Sequence, residues 1–552
     1  MVPYLLCFVL LSATVCPSQS VSKEDLPIPE EEISPEYWEK QARKGFETAE
    51  KTLPDMAEGA TKAKNVILFL GDGMGLPTIS AGRFFAGDRA TGKPVKYSFE
   101  DWDFNTVART YDLETMVTDS ASSATAYLTG NSSGFNSLFY YLTFAGTKTR
   151  TGMLGVTGAI KVKQCVAYTD AEKTISIVKA AAKAGKATGI LSTARITHAS
   201  PGGAFGHSAF RDWESDKDIK KDCNGENCTC VDLAQQLALD NMDVNVILGG
   251  GQSKFYPNTK ELPINPSMKG EREDGKDLPR MWLKAQLDKG RKAAYASTIK
   301  EFNEINPKQI DYFMGLLAPS HLPYVLDRTP GEPSLPDLTV KAIQILQKNP
   351  NGFFLFVEGG RIDHGHHDNT AKHALTELVE MEKAINVAVS MVDTRETLII
   401  VTADHSHSFE LVGQPSRFES LLLWDKGYGP KTTDNKSMLP LIYMNGPGAK
   451  INETRRNVSE ISKEELQNKT FLQQALVPLR WSTHGGDDVG VYAIGPFSWM
   501  FHRTIDNTFI AQTMKYAMCV EPYTMEKHCN GSIVHKPIFG VILALLLLLF
   551  RS

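Results

Sequence analysis

The chain has 552 residues, enough to bury a large core, and its 42% apolar and 22% charged residues are the balance of a folded globular protein rather than a disordered one. A formal net charge of -5 gives no support for nucleic-acid binding. Length alone would allow several domains, although large α/β enzymes often form one.

In chain order, residues 1–20 are apolar through Leu5, Leu6, Phe8, Val9, Leu10 and Leu11 and then turn polar. This reads as a secretory signal peptide without a basic leading region, the alternative being an apolar first strand. Residues 34–51 read as an exposed N-terminal helix that Ser34-Pro35-Glu36 begins. An α/β pattern then runs from about 65 to 405. Its helices include Thr174–Lys183, and its strands include Thr188–Leu191 and Val244–Leu248, the latter ending at Gly249-Gly250-Gly251. The Pro-, Gly- and charge-rich stretch Lys254–Leu278 reads as a surface excursion, and a second one, about 409–478, interrupts the core between Asp404 and His484. The aromatic-rich segment Asn131–Gly146 belongs to no regular element.

The C-terminal run Ile538–Phe550 is too short for an ordinary spanning helix, which needs about 20 residues. Small residues Asn530-Gly531-Ser532 and a short spacer precede it. The pattern resembles a signal for a glycosylphosphatidylinositol (GPI) anchor, with Asn530 as the attachment residue and 531–552 removed; a short protein anchor is the alternative. Cys7 and Cys16 fall in the presumed signal, leaving six cysteines, an even number in a secreted chain. Cys519 and Cys529 flank a turn and are expected to pair. Sequons at Asn227, Asn435, Asn452, Asn457 and Asn468 suit a secreted glycoprotein.

Three segments carry the chemistry. Asn65–Leu70 runs into Gly71-Asp72-Gly73, Gly352–Val357 into Glu358-Gly359-Gly360, and Leu398–Val401 into Thr402-Ala403-Asp404-His405. Short continuous apolar runs of this kind suit strands buried on both faces of a parallel sheet. Ligands bind such sheets beyond the carboxyl ends of the strands. Carboxylates gathered there repel one another unless cations sit between them, so the pattern predicts a polynuclear metal site. Asp363 and His367 stand at i, i+4 and would share a helical face, as a zinc pair requires. His484 lies alone in a Gly-rich loop. Ser120 precedes a run of small helix-forming residues; read alone it is an N-cap, but beside a metal site it is a candidate nucleophile. His198, Ser200 and Arg211 complete the candidates, Arg211 because a guanidinium fits a phosphate through two parallel hydrogen bonds.

These segments resemble the alkaline phosphatases, specifically the animal membrane-anchored, insect-like type. The motifs are LGDGMG (70–75), TDSASSATAYLTG (118–130), RITHASPGGAFGHSAFR (195–211), ILGGG (247–251), FFLFVEGGRIDHGHH (353–367), VTADHSH (401–407) and THGGDDV (483–489), which fall in order across most of 60–525. The resemblance implies a large, mostly parallel central sheet between helices, with a small crown-like insertion at about 409–478 in one catalytic domain, 21–530. It implies hydrolysis of phosphate monoesters in two displacements through phospho-Ser120, with two Zn2+ and one Mg2+ per subunit. One zinc would meet Asp72, Ser120, Asp404 and His405; the other Asp363, His367 and His484; magnesium would meet Asp72, Ser200 and Glu358. Arg211 would clamp the phosphate, with His198 and His364 supporting the site. Disulfides Cys165–Cys230 and Cys519–Cys529 follow from the resemblance, leaving Cys223 to pair with Cys228. A homodimer, GPI-anchored on the extracellular face of the cell membrane, is expected.

Two departures from the family stand out. Animal members often hold calcium with a Phe-Glu-Pro segment, where this chain has Leu317-Ala318-Pro319, so calcium is not expected. Relatives lack a counterpart of Asn131–Gly146, which is either an inserted surface loop or a splice or gene-model irregularity. A diesterase or sulfatase is the enzymatic alternative, but the residues around Ser120 lack the sulfatase pattern. The other alternative, a binding receptor on the cell surface, would suit a degenerate site, whereas every ligand position here is filled.

Overall fold

The computed structural model describes residues 28–131, 146–223, 228–424, 432–451 and 453–530. The signal segment, most of Asn131–Gly146, the sequons at Asn227 and Asn452, and the tail from 531 lie outside the described residues. Among the described residues, no helix is long and apolar enough to cross a membrane.

Ten strands form the central sheet: β1 (Asn65–Gly71), β2 (Phe104–Arg109), β3 (Ala187–Arg195), β4 (Val246–Gly250), β5 (Ala293–Ala296), β6 (Tyr312–Leu316), β7 (Phe353–Gly359), β8 (Thr397–Ala403), β9 (Val489–Ile494) and β10 (Ile505–Asp506). Their order is β10-β2-β9-β8-β1-β7-β3-β4-β6-β5. Every neighbouring pair is parallel except the two that β9 makes, with β8 and with β2. The central strands β1, β7 and β8 are buried along their whole length. That is why their sequences are continuous apolar runs rather than alternating ones. Helices α1 (Pro35–Thr52), α2 (Ser120–Leu128), α3 (Leu335–Leu346), α4 (Arg361–His367), α5 (Ala371–Met391) and α6 (Thr508–Met518) are the ones that position the site. Of these, α5 packs on α3 and α4, while α6 packs on α1 and α2.

Several local expectations are corrected. The N-terminal helix is not free in solvent: Trp38, Ala42, Phe46 and Ala49 are buried along one face, and Phe46 packs on Phe509 and Tyr516 of α6. Their spacing of three to four residues marks an amphipathic helix with a core-facing stripe. Of the helix expected at Thr174–Lys183, Thr174–Ser176 instead forms a short strand paired with Thr129–Asn131. The helix begins at Ile177, where Ser176 Oγ accepts from the Lys179 amide. The strand expected at Thr188–Leu191 extends over Ala187–Arg195, and that expected at Val244–Leu248 is shifted to Val246–Gly250.

The stretch Lys254–Leu278 is not wholly superficial either. Arg272 within it is fully buried, held by two bonds to Asp232 (2.8 and 3.0 Å) and by Asp274. A paired guanidinium can be buried where an unpaired one could not. The region 409–478 carries its own three-stranded sheet, Phe409–Leu411, Leu441–Gly446 and Gln474–Pro478, and a small core of Leu423, Leu439, Val458, Ile461 and Leu466. Disulfides join Cys165 to Cys230, Cys223 to Cys228 and Cys519 to Cys529.

Candidate active site

The register of three adjacent strands builds the floor of the site. Gly71 of β1 lies opposite both Gly359 of β7 and Ala403 of β8. Asp72 and Asp404 are therefore the first residues beyond two neighbouring strand ends, and Glu358 is the penultimate residue of the third. All three are fully buried, and Asp363 on α4 is 3% exposed. The turn after β1 requires Gly73, whose φ is +67° and whose Cβ, if present, would meet Asp363 at 3.1 Å. Its amide donates to Asp404 Oδ1 at 3.0 Å.

Ser120 is the first residue of α2 and is buried; the N-cap is Asp119, not Ser120. The Asp119 carboxylate accepts from the amides of Ala121, Ser122 and Gly152, and also from Arg211 Nη1 at 3.0 Å. One carboxylate thus holds both the helix that carries the serine and the guanidinium beside it. Burial works against its ionisation, but the Arg211 charge and the hydroxyl and amide donors outweigh it and hold the carboxyl at about 2. Asp119 was not singled out by the sequence reading; an aspartate directly before a serine at a helix start was the available signal. Asp119→Asn keeps a capping oxygen but removes the charge that fixes Arg211. We expect inhibition by inorganic phosphate to weaken about tenfold in that variant, measured as a competitive inhibition constant.

The histidines sort by tautomer. His367 Nδ1 donates to the Ser482 carbonyl at 2.6 Å, His405 Nδ1 to Ser406 at 3.0 Å, and His484 Nδ1 to Thr118 at 2.9 Å. Each bond places a hydrogen on Nδ1 and leaves Nε2 as the nitrogen that can present a lone pair to a metal. His405 Nε2 lies 3.1 Å from Ser120 Oγ, 3.1 Å from Asp404 Oδ2 and 3.6 Å from Asp72 Oδ1. His367 Nε2 lies 3.1 Å from Asp363 Oδ2 and 3.3 Å from His484 Nε2. His484 Nε2 is 3.8 Å from Asp363 Oδ1. His407 is the opposite case: its Nδ1 accepts from the Ser408 amide, so Nε2 carries the hydrogen and faces Asp363 Oδ1 at 3.4 Å. The sequence reading did not assign it a place beside that carboxylate. A two-residue ladder pairing Ser406 with Gly485 and His407 with His484 brings the His484 loop back to the strand ends.

The donor set fits cations. Asp72, Asp404 and His405 converge as one group, and Asp363 converges both with His405 and His484 and with His367 and His407. Both Asp72 oxygens and Glu358 Oε1 are buried without a hydrogen-bond partner, and the Nε2 atoms of His367 and His484 face each other at 3.3 Å. Burial, then the charges of Asp404, Asp363 and Glu358, holds the Asp72 carboxyl well above its usual range. Burial pushes Glu358 up to about 8. Burial opposes a charge on His367, but Asp363 raises the imidazole to about 9. A proton and a metal compete for that same nitrogen. Ser200, in the helical turn Ala199–Gly202, is fully buried. His198 Nε2 stands 3.5 Å from Arg211 Nη2, and the His198 and His364 rings lie 5.3 Å apart.

The sequence model of the alkaline phosphatase family matches residues 63–520. Alkaline phosphatase of Gadus morhua is 38% identical over 499 residues, 89% of this chain and 98% of that protein. The tissue-nonspecific alkaline phosphatase isozyme of Homo sapiens is 37% identical over 522 residues, 93% of each chain. Among solved structures, alkaline phosphatase from an Antarctic bacterium superposes with a TM-score of 0.53 at 21% identity, covering 84% of this chain and 99% of that one. A variant of that protein was solved with Mg bound. The Thermus thermophilus protein gives 0.55 at 22%, covering 84% and 93%.

Proposed function

We propose, because this chain belongs to the metal-dependent alkaline phosphatase family, that it hydrolyses phosphate monoesters with Ser120 as the nucleophile. The observation that carries the reading is the ring of donors around Ser120: buried carboxylates with orphaned oxygens, and three histidines whose Nδ1 atoms are tied to carbonyls and whose Nε2 atoms point inward. Asp72, Asp404, His405 and the Ser120 hydroxyl would hold one Zn2+, Asp363, His367 and His484 a second, and Asp72, Ser200 and Glu358 one Mg2+. Bound there, the ions supply a lowered hydroxyl pKa and neutralise charge on the phosphoryl and leaving groups. Arg211, braced by Asp119, binds two oxygens of the transferring group. Ser120 Oγ displaces the alcohol to give phosphoserine, and water displaces the serine, so two in-line steps retain configuration at phosphorus.

Turnover of p-nitrophenyl phosphate by the purified ectodomain, with metal analysis of the same sample, tests this reading. Zinc and magnesium at two to one, and activity that chelation abolishes and zinc restores, are expected. Full turnover after complete metal removal would refute it.

The enzyme is further proposed to act at the cell surface, held by a GPI anchor at Asn530. Phosphatidylinositol-specific phospholipase C should then release active protein from membranes. Retention, with Leu545–Leu549 still present in the C-terminal peptide by mass spectrometry, would indicate a protein anchor instead. A homodimer is proposed in keeping with the exposed apolar side chains of Leu476 and Val477 on the edge strand of the small sheet and of Trp481 just beyond it.

A further inference from the structure

Between β2 and the helix that carries Ser120, the chain turns around one buried acid. Asp112 is 5% exposed. Its Oδ1 accepts from the amides of Glu114 at 2.8 Å and Thr115 at 2.7 Å, and its own amide donates to the Thr115 carbonyl at 3.1 Å. Its Oδ2 accepts from the Thr151 hydroxyl at 2.9 Å and faces those of Thr115 at 2.9 Å and Ser122 at 3.2 Å. Amides and hydroxyls thus meet a charge that burial alone would penalise. Ser122 has one hydroxyl hydrogen, and its shorter contact is to Asp119 Oδ1 at 2.7 Å. Thr151 is therefore the firmer link from Asp112 to the rest of the site.

Thr151 and Gly152 are the central residues of a second turn, which the Met153 amide closes on the Arg150 carbonyl at 3.2 Å. Gly152 spends both polar backbone atoms on the phosphate-binding side of the site. Its amide donates to Asp119 Oδ1 at 2.9 Å, and its carbonyl accepts from the Arg211 amide at 2.8 Å. Arg211 is held at its backbone by Gly152 directly, and at its guanidinium by Asp119, which Gly152 supports. The φ of Gly152 is +81°, as the third position of such a turn requires. A Cβ there would meet nothing closer than Phe210 at 3.8 Å, so backbone conformation rather than lack of space calls for glycine.

Glycine has no side chain to hold its own conformation, so its neighbours must. Thr151 does this through its bond to Asp112. A separate bond joins the two turns, from Arg150 Nη1 to Glu114 Oε1 at 2.8 Å. Removing Asp112 therefore loosens the Gly152 peptide without parting the turns.

We propose that Asp112 and Thr151 are positioning residues for Arg211. Neither belongs to the donor set or faces the phosphate. Together they fix the peptide that holds the Arg211 backbone and supports Asp119, and so keep the guanidinium aimed at the phosphoryl oxygens. Two parallel hydrogen bonds need a fixed plane, so a small rotation of that plane lowers affinity. This rests on the proposed phosphatase reading, in which Arg211 binds two oxygens of the transferring group, and it deepens that reading.

The test is calorimetric titration of inorganic phosphate into the metal-loaded ectodomain, for wild type, Asp112→Ala, Thr151→Val and Thr151→Ser. The first two are also made in an Arg211→Ala background. Kd should rise on the order of tenfold in Asp112→Ala and about fivefold in Thr151→Val, which loses the hydroxyl and keeps the shape. Thr151→Ser keeps the hydroxyl and should stay within about twofold of wild type. Without Arg211, either change should shift Kd by less than about twofold, because the group they position is gone. Equal shifts with and without Arg211 would mean a general structural role. That result overturns the proposal, as does unchanged affinity in both variants or a Thr151→Ser as weak as Thr151→Val. If Asp112→Ala does not fold, the Thr151 variants decide alone. Turnover of p-nitrophenyl phosphate is followed on the same samples. A wild type that binds phosphate without turnover would instead defeat the phosphatase reading, and the affinities would still decide whether Asp112 and Thr151 position Arg211.

Discussion

Ser120→Ala is expected to lower phosphomonoester turnover on the order of a thousandfold or more while the protein stays folded and keeps most of its zinc. The structure separates the two properties. The donor atoms that converge beside Ser120 belong to Asp72, Asp404 and His405, which the strand ends and the Ser406 carbonyl hold independently of the serine. Nor does the helix depend on the serine hydroxyl, since Asp119 caps it. Residual activity is compatible with this account, because water can replace the hydroxyl weakly. Turnover within tenfold of wild type would contradict it.

His484→Ala should act in the opposite order, on the metal first. His484 and His367 face each other through Nε2 across 3.3 Å, with Asp363 as their carboxylate. Without His484 that ion would keep two side-chain ligands, and its affinity should fall more than about a hundredfold, beyond what losing a supporting residue costs. Activity should return partly with excess zinc. Metal titration followed by equilibrium dialysis checks this, and unchanged affinity would remove His484 from the site.

How much of this could be read from the sequence depends on how local each signal was. The carboxylates Asp72, Glu358 and Asp404 were legible because each closes a continuous apolar strand, and strands of that kind share one sheet whose ends coincide. Asp363 and His367 were legible because a helix fixes their relation four residues apart. His484 was not legible by itself: a single histidine among glycines acquires meaning only from the ladder with His407, 77 residues earlier in the chain, and the family resemblance stood in for that contact. The capping role of Asp119 was available in its place before Ser120, but its bond to Arg211 arises across 92 residues; His407 escaped because its work depends on which ring nitrogen holds the hydrogen, which no spacing records. The burial of α1 was available in the spacing of Trp38, Ala42, Phe46 and Ala49, but the covering helix α6 lies more than 450 residues downstream.

The central claim is that Ser120 is the atom-level link between substrate and product. Acid quenching during turnover of a phosphate monoester, followed by peptide mapping, tests it most directly. The account predicts phosphate on Ser120 in wild-type protein and none in Ser120→Ala. Phosphate on another residue, or turnover at high rate with no phosphorylated peptide at any quench pH, would contradict it.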